Sequence, residues 1–476
     1  MKVTFVGHAS ILVEAGGLNI LSDPWWAGSC FGTQWWPYPK PAVDAVDPER
    51  LDYIYISHGH ADHLHNGTLS RLPKTAVCLV AQELNLSEPL KGLGFEVIEV
   101  APKTDYALNE KVTIEITPTV SGDSFSVIRD DRQICMNMND ALHAAPRDVQ
   151  TQMIGYLNAK YGQADYMFCG FGIASHFPIC IEVPGRDRDR TAAERQKHFN
   201  REWAYIVHGL GPKYAFPFAA DVIFLDENIR WANSAVHNGE RPVDVLTGPF
   251  ATPQTKAIDI YPGFSIEGDN IVVDARHRPV VAAEIDAAFE SETRMANRST
   301  AVTADGVEDL VVRLRENLET CRQYLCEIDN NYRFLIEFIG NDAGIEICKT
   351  GNRLDAFSIK IPDIDKTDYA VVFLTKYSYL RRSLSDEFGH EVLSVGSGGV
   401  FRYRSRAEAD ANLHGELMLV LRTHTAAPPS RFGDQSKLTY QMKTLVKKAL
   451  RVALRRPAAV DLYDNRHWIR YEGHNG

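Results

Sequence analysis

The side chains best able to do chemistry cluster in Ser57-His58-Gly59-His60-Ala61-Asp62-His63-Leu64-His65. Four of the chain's sixteen histidines fall in eight residues, and His58, His60, Asp62 and His63 form a His-x-His-x-Asp-His string directly after a hydrophobic strand predicted over 51–56. Imidazole and carboxylate suit borderline divalent metals such as zinc and iron, and a tight loop at a strand end can aim alternate side chains into one cavity. The alternative, a surface loop that happens to be histidine-rich, does not account for this density. Trp25, Trp26, Trp35 and Trp36 lie in a Gly/Pro-containing loop upstream. Such rings suit stacking on a sugar, base or acyl group, and equally suit roofing a core. Trp35 and Trp36, with His8, are the candidate substrate contacts.

Positioning the loop requires strands, and the first 135 residues supply them. Short β-rich runs are predicted over 3–6, 10–14, 18–21, 53–57, 76–80, 96–100, 111–117, 124–128 and 133–136, separated by turns such as Ala15-Gly16-Gly17. A helix over 66–72 interrupts them, a charged stretch from Arg186 opens a helix running to 207, and a strand follows near 214–216. The polar, Ala-rich segment 282–305 is the boundary candidate, giving a first domain over 1–285 and an α+β accessory domain over 286–476. In the latter, Leu310, Leu314, Leu318, Cys321 and Leu325 recur at helical spacing, and strands are predicted over 334–339, 344–348, 356–361, 369–375 and 416–422.

The His-x-His-x-Asp-His string, the opening Val6-Gly7-His8-Ala9-Ser10-Ile11-Leu12-Val13-Glu14 and the later Ser22-Asp23-Pro24 resemble the metallo-β-lactamase superfamily. A closer resemblance, through Gln34-Trp35-Trp36-Pro37, Tyr55-Ile56-Ser57-His58, Asn139-Asp140, 170–178 and 216–219, is to the metallo-β-lactamase-like portion of the CMP-N-acetylneuraminate hydroxylase family. The Cys-x-His and Cys-x-x-His ligands of that family's Rieske iron–sulfur domain are absent from this sequence. The resemblance implies an αββα sandwich with two divalent ions, zinc or iron. His58 and His60 would hold one ion, Asp62 and His63 the other, and Asp140 would bridge them. Asp62 and Asp140 are also the candidates for orienting an attacking water.

Two further histidines of the superfamily pattern are missing. Thr119-Val120-Ser121-Gly122-Asp123 stands where one is expected, and a stretch with Asp221, Asp226 and Glu227 stands where the last is expected. Asp226, His143 and His176 are candidates to compensate. The favoured expectation is hydrolysis of a small-molecule ester, amide or phosphodiester through a metal-bound hydroxide. A non-heme iron or diiron oxygenase acting on a nucleotide sugar or specialised metabolite is the alternative, and a non-catalytic binding protein is the third.

Composition narrows the partners. With 51 Lys and Arg against 62 Asp and Glu, the net charge of −11 opposes general nucleic-acid binding. No apolar run reaches the ~18–20 residues of a transmembrane helix. Eight irregularly spaced cysteines and a first strand that begins at the N-terminus fit a cytoplasmic setting. The basic, leucine-containing segment 437–457 is compatible with weak contact to an anionic surface or with docking on the acidic body. Oligomeric state is not legible.

Overall fold

The computed structural model describes residues 1–422 except 120–121, 173–175, 238, 280–281, 297–301, 323–324, 326–330, 386–388 and 411–412. The chain divides into two compact units, Met1–Ala174 with Ala192–Ala296 and Ser175–Thr191 with Asn297–Gly476.

Strand alternation builds the first unit. Along Lys2–Gly7, Val3 and Phe5 point one way while Val6 points the other; along Tyr53–Tyr55, Tyr55 and Ile54 divide likewise. One set joins Ile114, Ile116, Ile128, Tyr166, Phe168 and Phe216 in a core between two facing sheets. The other set of the first sheet packs on Leu69, Leu72, Leu86 and Leu90 of its covering helices and turns. The outer face of the second sheet, Phe125, Val127, Met136 and Met167, packs on Leu157 of helix Arg147–Tyr161 and on Trp203, Ile206 and Val207 of helix Arg188–Leu210. The result is the expected αββα stack.

The first sheet has eight strands, in the order Asn270–Val273, Ser265–Glu267, Lys2–Gly7, Ser10–Ala15, Leu18–Ser22, Tyr53–Tyr55, Val77–Ala81 and Val97–Val100. A two-residue turn at Gly16-Gly17, with φ of 54° and 85°, closes the hairpin that pairs Ala15 with Leu18, as the right-handed strand twist demands. The second sheet has seven: Lys256–Ala257, Tyr214–Phe218, Tyr166–Gly170, Ile134–Asn139, Ser124–Arg129, Thr113–Pro118 and Tyr106–Ala107. Its Ile134–Asn139, Tyr166–Gly170 and Tyr214–Phe218 strands run parallel, as do Leu18–Ser22 and Tyr53–Tyr55 of the first sheet.

In the second unit, one sheet runs Ile181–Glu182, Gly399–Tyr403, Val371–Thr375, Tyr332–Phe338, Ala343–Thr350 and Arg353–Lys360. Helix Ala304–Thr320 buries Leu310, Leu314 and Leu318, and its Thr303 hydroxyl caps it by accepting from the Gly306 N–H at 3.1 Å. One prediction fails here, and one strand has no counterpart among the predicted runs. The run near 416–422 is not a strand but part of helix Leu413–Val420, because Leu413, Leu417 and Val420 fall on one buried face; a short apolar run alone does not separate the two states. The strand Gly399–Tyr403 lies in a glycine-rich stretch that carried no strand signal. The basic segment 437–457 lies outside the described residues. Among the described residues no helix is long and apolar enough to cross a membrane.

Candidate metal centre

Parallel strands deliver their C-terminal ends to one edge of the sandwich, the usual place for a site in such sheets. Asp23 follows Leu18–Ser22, the histidine loop follows Tyr53–Tyr55, Asp140 follows Ile134–Asn139 and Gly170 ends Tyr166–Gly170. Backbone strain marks the same edge. His8, Asp23, Asn139 and Ala219 hold φ between 38° and 54°, a left-handed conformation that costs non-glycine residues of order 1–3 kcal/mol each.

Three groups of donor atoms come together, each within 4.8 Å: His58, His60 and Asp123; His58, His63 and Asp140; and His8, Asp62 and His63. His58 Nε2 lies 2.8 Å from His60 Nδ1 and 3.6 Å from Asp123 Oδ1. His63 Nε2 is 3.4 Å from both Asp62 Oδ2 and Asp140 Oδ2. His8 Nε2 is 3.1 Å from Asp62 Oδ2. Asp123 is drawn to the loop by the next residue: the Ser124 N–H and hydroxyl both donate to the Ser57 carbonyl, at 3.1 and 2.6 Å.

Behind these donors sits a buried orienting network. Asp23 accepts from the Ser57 N–H at 2.8 Å, the Ser57 hydroxyl at 2.6 Å and the His63 Nδ1–H at 3.1 Å, and Asn139 Nδ2 donates to both Asp23 and Ser57. Since the Ser57 proton goes to Asp23, its oxygen accepts from His58 Nδ1 at 3.0 Å. Both imidazoles thereby carry a proton on Nδ1 and turn Nε2 to the cluster, the orientation metal-ligating histidines use.

Burial pushes His58 and His60 down to about 4, reinforced by neighbouring His63 and His58 respectively, so both are neutral at ordinary pH. Burial also disfavours charge on His63, but the Asp62, Asp140 and Asp23 carboxylates raise it well above the usual imidazole range. Against their own burial, the Asp62 carboxyl is held well below its usual range by His63 and His8, and the Asp140 carboxyl by His63.

A divalent ion fits this chemistry. His63 Nε2, Asp62 Oδ1 and Asp140 Oδ1 are buried without a hydrogen-bond partner, an arrangement costly for polar atoms unless something else engages them. Gly170 completes the fit. A Cβ there would stand 2.9 Å from Asn139 O and Asp140 Oδ1 and 3.0 Å from His143 Nδ1.

Of the candidates proposed from sequence, His58, His60, Asp62, His63 and Asp140 converge. Asp226 does not: its carboxylate caps Glu227–Ile229, accepting from the Asn228 N–H at 3.0 Å and Asn228 Nδ2 at 2.9 Å. His143 is buried against Phe199 and beside Gly170, outside the three donor groups. His176 opens helix His176–Ile179, and its side chain lies outside the described residues. Trp35 is 2% exposed and packs on Phe31 and Phe224, and Trp36 packs on the Ile223 and Leu225 cluster, so both rings serve the interior. His8 stands among the donors rather than at a distance from them. Asp123 went unassigned because a histidine was sought there; the signal was a carboxylate opening the strand Ser124–Arg129.

Residues 2–126 match the Beta-lactamase superfamily domain. The first part of the chain carries a metallo-β-lactamase superfamily domain. At the edge of the sandwich, three groups of His and Asp donors could hold a metal ion. Among curated relatives, a Mycobacterium tuberculosis (strain ATCC 25618 / H37Rv) protein, provisionally named a Rieske 2Fe-2S iron-sulfur protein, is 26% identical over 314 residues, covering 61% of this chain and 58% of its own length. The cytidine monophosphate-N-acetylneuraminic acid hydroxylase of Danio rerio is 28% identical over 232 residues, covering 46% of this chain and 38% of that protein. A UPF0173 metal-dependent hydrolase of Chelativorans sp. (strain BNC1) is 38% identical over 81 residues, 17% of this chain and 31% of that one. The chain thus spans about half or less of the length of these relatives. Among solved structures, a point mutant of the CmlA beta-hydroxylase aligns at 20% identity over 56% of this chain and 53% of that one, with a TM-score of 0.39.

Proposed function

We propose that this superfamily member is an iron-dependent oxidoreductase that hydroxylates a small molecule at a two-metal centre. The observation that carries this reading is Asp123. It brings a third carboxylate, beside Asp62 and Asp140, to a cluster whose histidines, among the described residues, are His8, His58, His60 and His63. Mixed imidazole and carboxylate donors suit iron better than they suit a purely nitrogen- or sulfur-loving metal, and the hydroxylase among the relatives adds support. In this reading His58, His60 and Asp123 hold one ion, Asp62 and His63 hold the second, and Asp140 is shared. Iron there supplies reductive activation of dioxygen. The residues supply the rest. Asp23 and Ser57 fix the imidazole tautomers, and the buried Oδ1 atoms of Asp62 and Asp140 are placed to engage an ion or hold the proton of a water. Hydroxylation of one C–H bond by one dioxygen, giving one hydroxyl and one water, takes two electrons and two protons. In this reading an iron–sulfur electron carrier would provide the electrons, a class that the name of the Mycobacterium tuberculosis relative includes.

A second reading, metal-dependent hydrolysis of an ester, amide or phosphodiester, is favoured by the 38% identity over 81 residues to a metal-dependent hydrolase. The test is elemental analysis with absorption spectroscopy after anaerobic iron loading, followed by dioxygen uptake with a chemical reductant and small-molecule pools. Tight iron binding and substrate-dependent uptake are expected. Stoichiometric zinc, no uptake, and turnover of a phosphodiester or lactone would overturn the oxidative reading in favour of the hydrolytic one.

A further inference from the structure

The two-metal reading leaves one half of the centre short of a donor. His58, His60 and Asp123 furnish three side chains for the first ion, whereas Asp62 and His63 furnish two for the second, and the strand Tyr214–Phe218 ends in Ala219 and Ala220 where the superfamily pattern would place a histidine.

His8 stands at that gap. Its Nε2 lies 3.1 Å from Asp62 Oδ2, and it shares a 4.8 Å donor group with Asp62 and His63. The backbone ties it to the strand end that lacks the histidine, since the Ala219 N–H donates to the His8 carbonyl at 2.9 Å. Both residues hold left-handed backbone, His8 at φ 49° and Ala219 at 54°, so two strained positions meet at one point.

The remaining sides of the ring are also fixed. The Trp25 indole meets it edge-on, with centroids 5.0 Å apart at 86°. His8 Nδ1 lies 3.4 Å from the Asp221 carbonyl, an acceptor that directs the Nδ1 proton outward and leaves Nε2 facing Asp62 and His63. Asp221 is in turn held by Arg241, whose two terminal nitrogens reach its carboxylate oxygens at 3.1 and 3.2 Å. The same guanidinium holds Asp259 at 2.9 and 3.1 Å and lies 4.7 Å over the Phe171 ring. A planar fork gripped at both edges moves little.

We infer that His8, contributed by the opening strand, is the histidine ligand of the second ion in place of the one missing after Phe218, and that the Asp221–Arg241–Asp259 triad is its positioning group. This rests on the two-metal reading. The ligand has moved from one strand end to the strand end bonded to it, in the facing sheet.

Cobalt(II) titration of the full chain, followed by visible absorption and metal analysis, tests the assignment. The unmodified protein should bind about two ions. His8→Ala should bind the first with unchanged affinity, which also shows that it has folded, and the second at least ~100-fold more weakly. Added imidazole should restore the second spectrum by occupying the space left by the ring. Arg241→Met should weaken the second ion by about tenfold and spare the first. If His8→Ala keeps both ions with unchanged affinities and spectrum, His8 is only a hydrogen-bond neighbour of Asp62 and the inference fails while the two-metal reading stands. If the unmodified protein binds fewer than two ions, the two-metal reading itself fails.

Discussion

Two buried polar clusters of the first unit use the same residue types to opposite ends. Glu115, on strand Thr113–Pro118, is 1% exposed, yet its carboxylate is fully engaged. It accepts from the Thr117 hydroxyl at 2.6 Å, Lys160 at 2.6 Å, and the Tyr156 and Tyr161 hydroxyls at 2.8 and 2.6 Å. The histidine–aspartate cluster instead leaves His63 Nε2, Asp62 Oδ1 and Asp140 Oδ1 without partners and surrounds them with left-handed backbone. A saturated network stabilises the fold, whereas an under-satisfied and strained one gives up stability to keep its donor atoms ready for something else. Burial and charge alone would not separate them. The census of unmet hydrogen bonds does.

Substitutions should drive the two clusters apart, and the largest effect belongs to His63. His63→Ala removes a donor of the second ion and leaves His58, His60 and Asp123 in place, so metal content measured by elemental analysis should fall from about two ions per chain to about one. Retention of both ions would show that His63 holds neither. Glu115→Ala should leave metal content unchanged but cost about 2–4 kcal/mol in urea unfolding, because Lys160 and two phenols lose their common acceptor. An unaltered unfolding curve would refute the structural role. Gly170→Ala sharpens the contrast from the backbone side, since its Cβ would press on Asp140. The expected loss is about 10–100-fold in metal affinity with little change in unfolding.

The smallest effect is one of pH. Although burial pushes the Glu115 carboxyl up, Lys160, Thr117 and the tyrosines hold it below its usual value. A depressed carboxyl contributes stability that is complete above its unfolded pKa of ~4.3 and lost as pH falls through the folded value. Glu115→Gln should therefore show a shallower loss of stability below about pH 4 than the unmodified chain. Parallel acid limbs for the two proteins would mean that Glu115 is not the titrating group.

Much of the first unit was legible because its strands carry uninterrupted apolar or alternating runs, and nearly every predicted strand before residue 140 recurs within a residue or two. His58, His60, Asp62 and His63 were legible for another reason: they are contiguous, so one loop fixes their meeting. Asp123, Asp23 and His8 were harder to read as parts of the centre. Each lies at the end of a different strand, and only the strand order of the first sheet, for Asp23 and His8, and the facing of the two sheets, for Asp123, brings them to His58 and His63. Gly170 carries no such signal in the sequence, because its neighbours Asn139 and Asp140 come from the end of an adjacent strand. In the second unit the run near residue 416 satisfied strand and helix equally, and burial on one face decided it.

The strand Ile181–Glu182 pairs with Phe401 and Arg402, more than two hundred residues later in the chain. During synthesis it therefore emerges long before the strand that will cover its edge, and it must wait, with its backbone groups open to solvent or to other chains, until nearly all the described sequence has left the ribosome. A gene cut after residue 296, the obvious way to isolate the metal-binding unit, would strand this segment permanently and invite edge-to-edge association. The more direct way to produce that unit alone is to excise 175–191 along with the second unit and rejoin the chain.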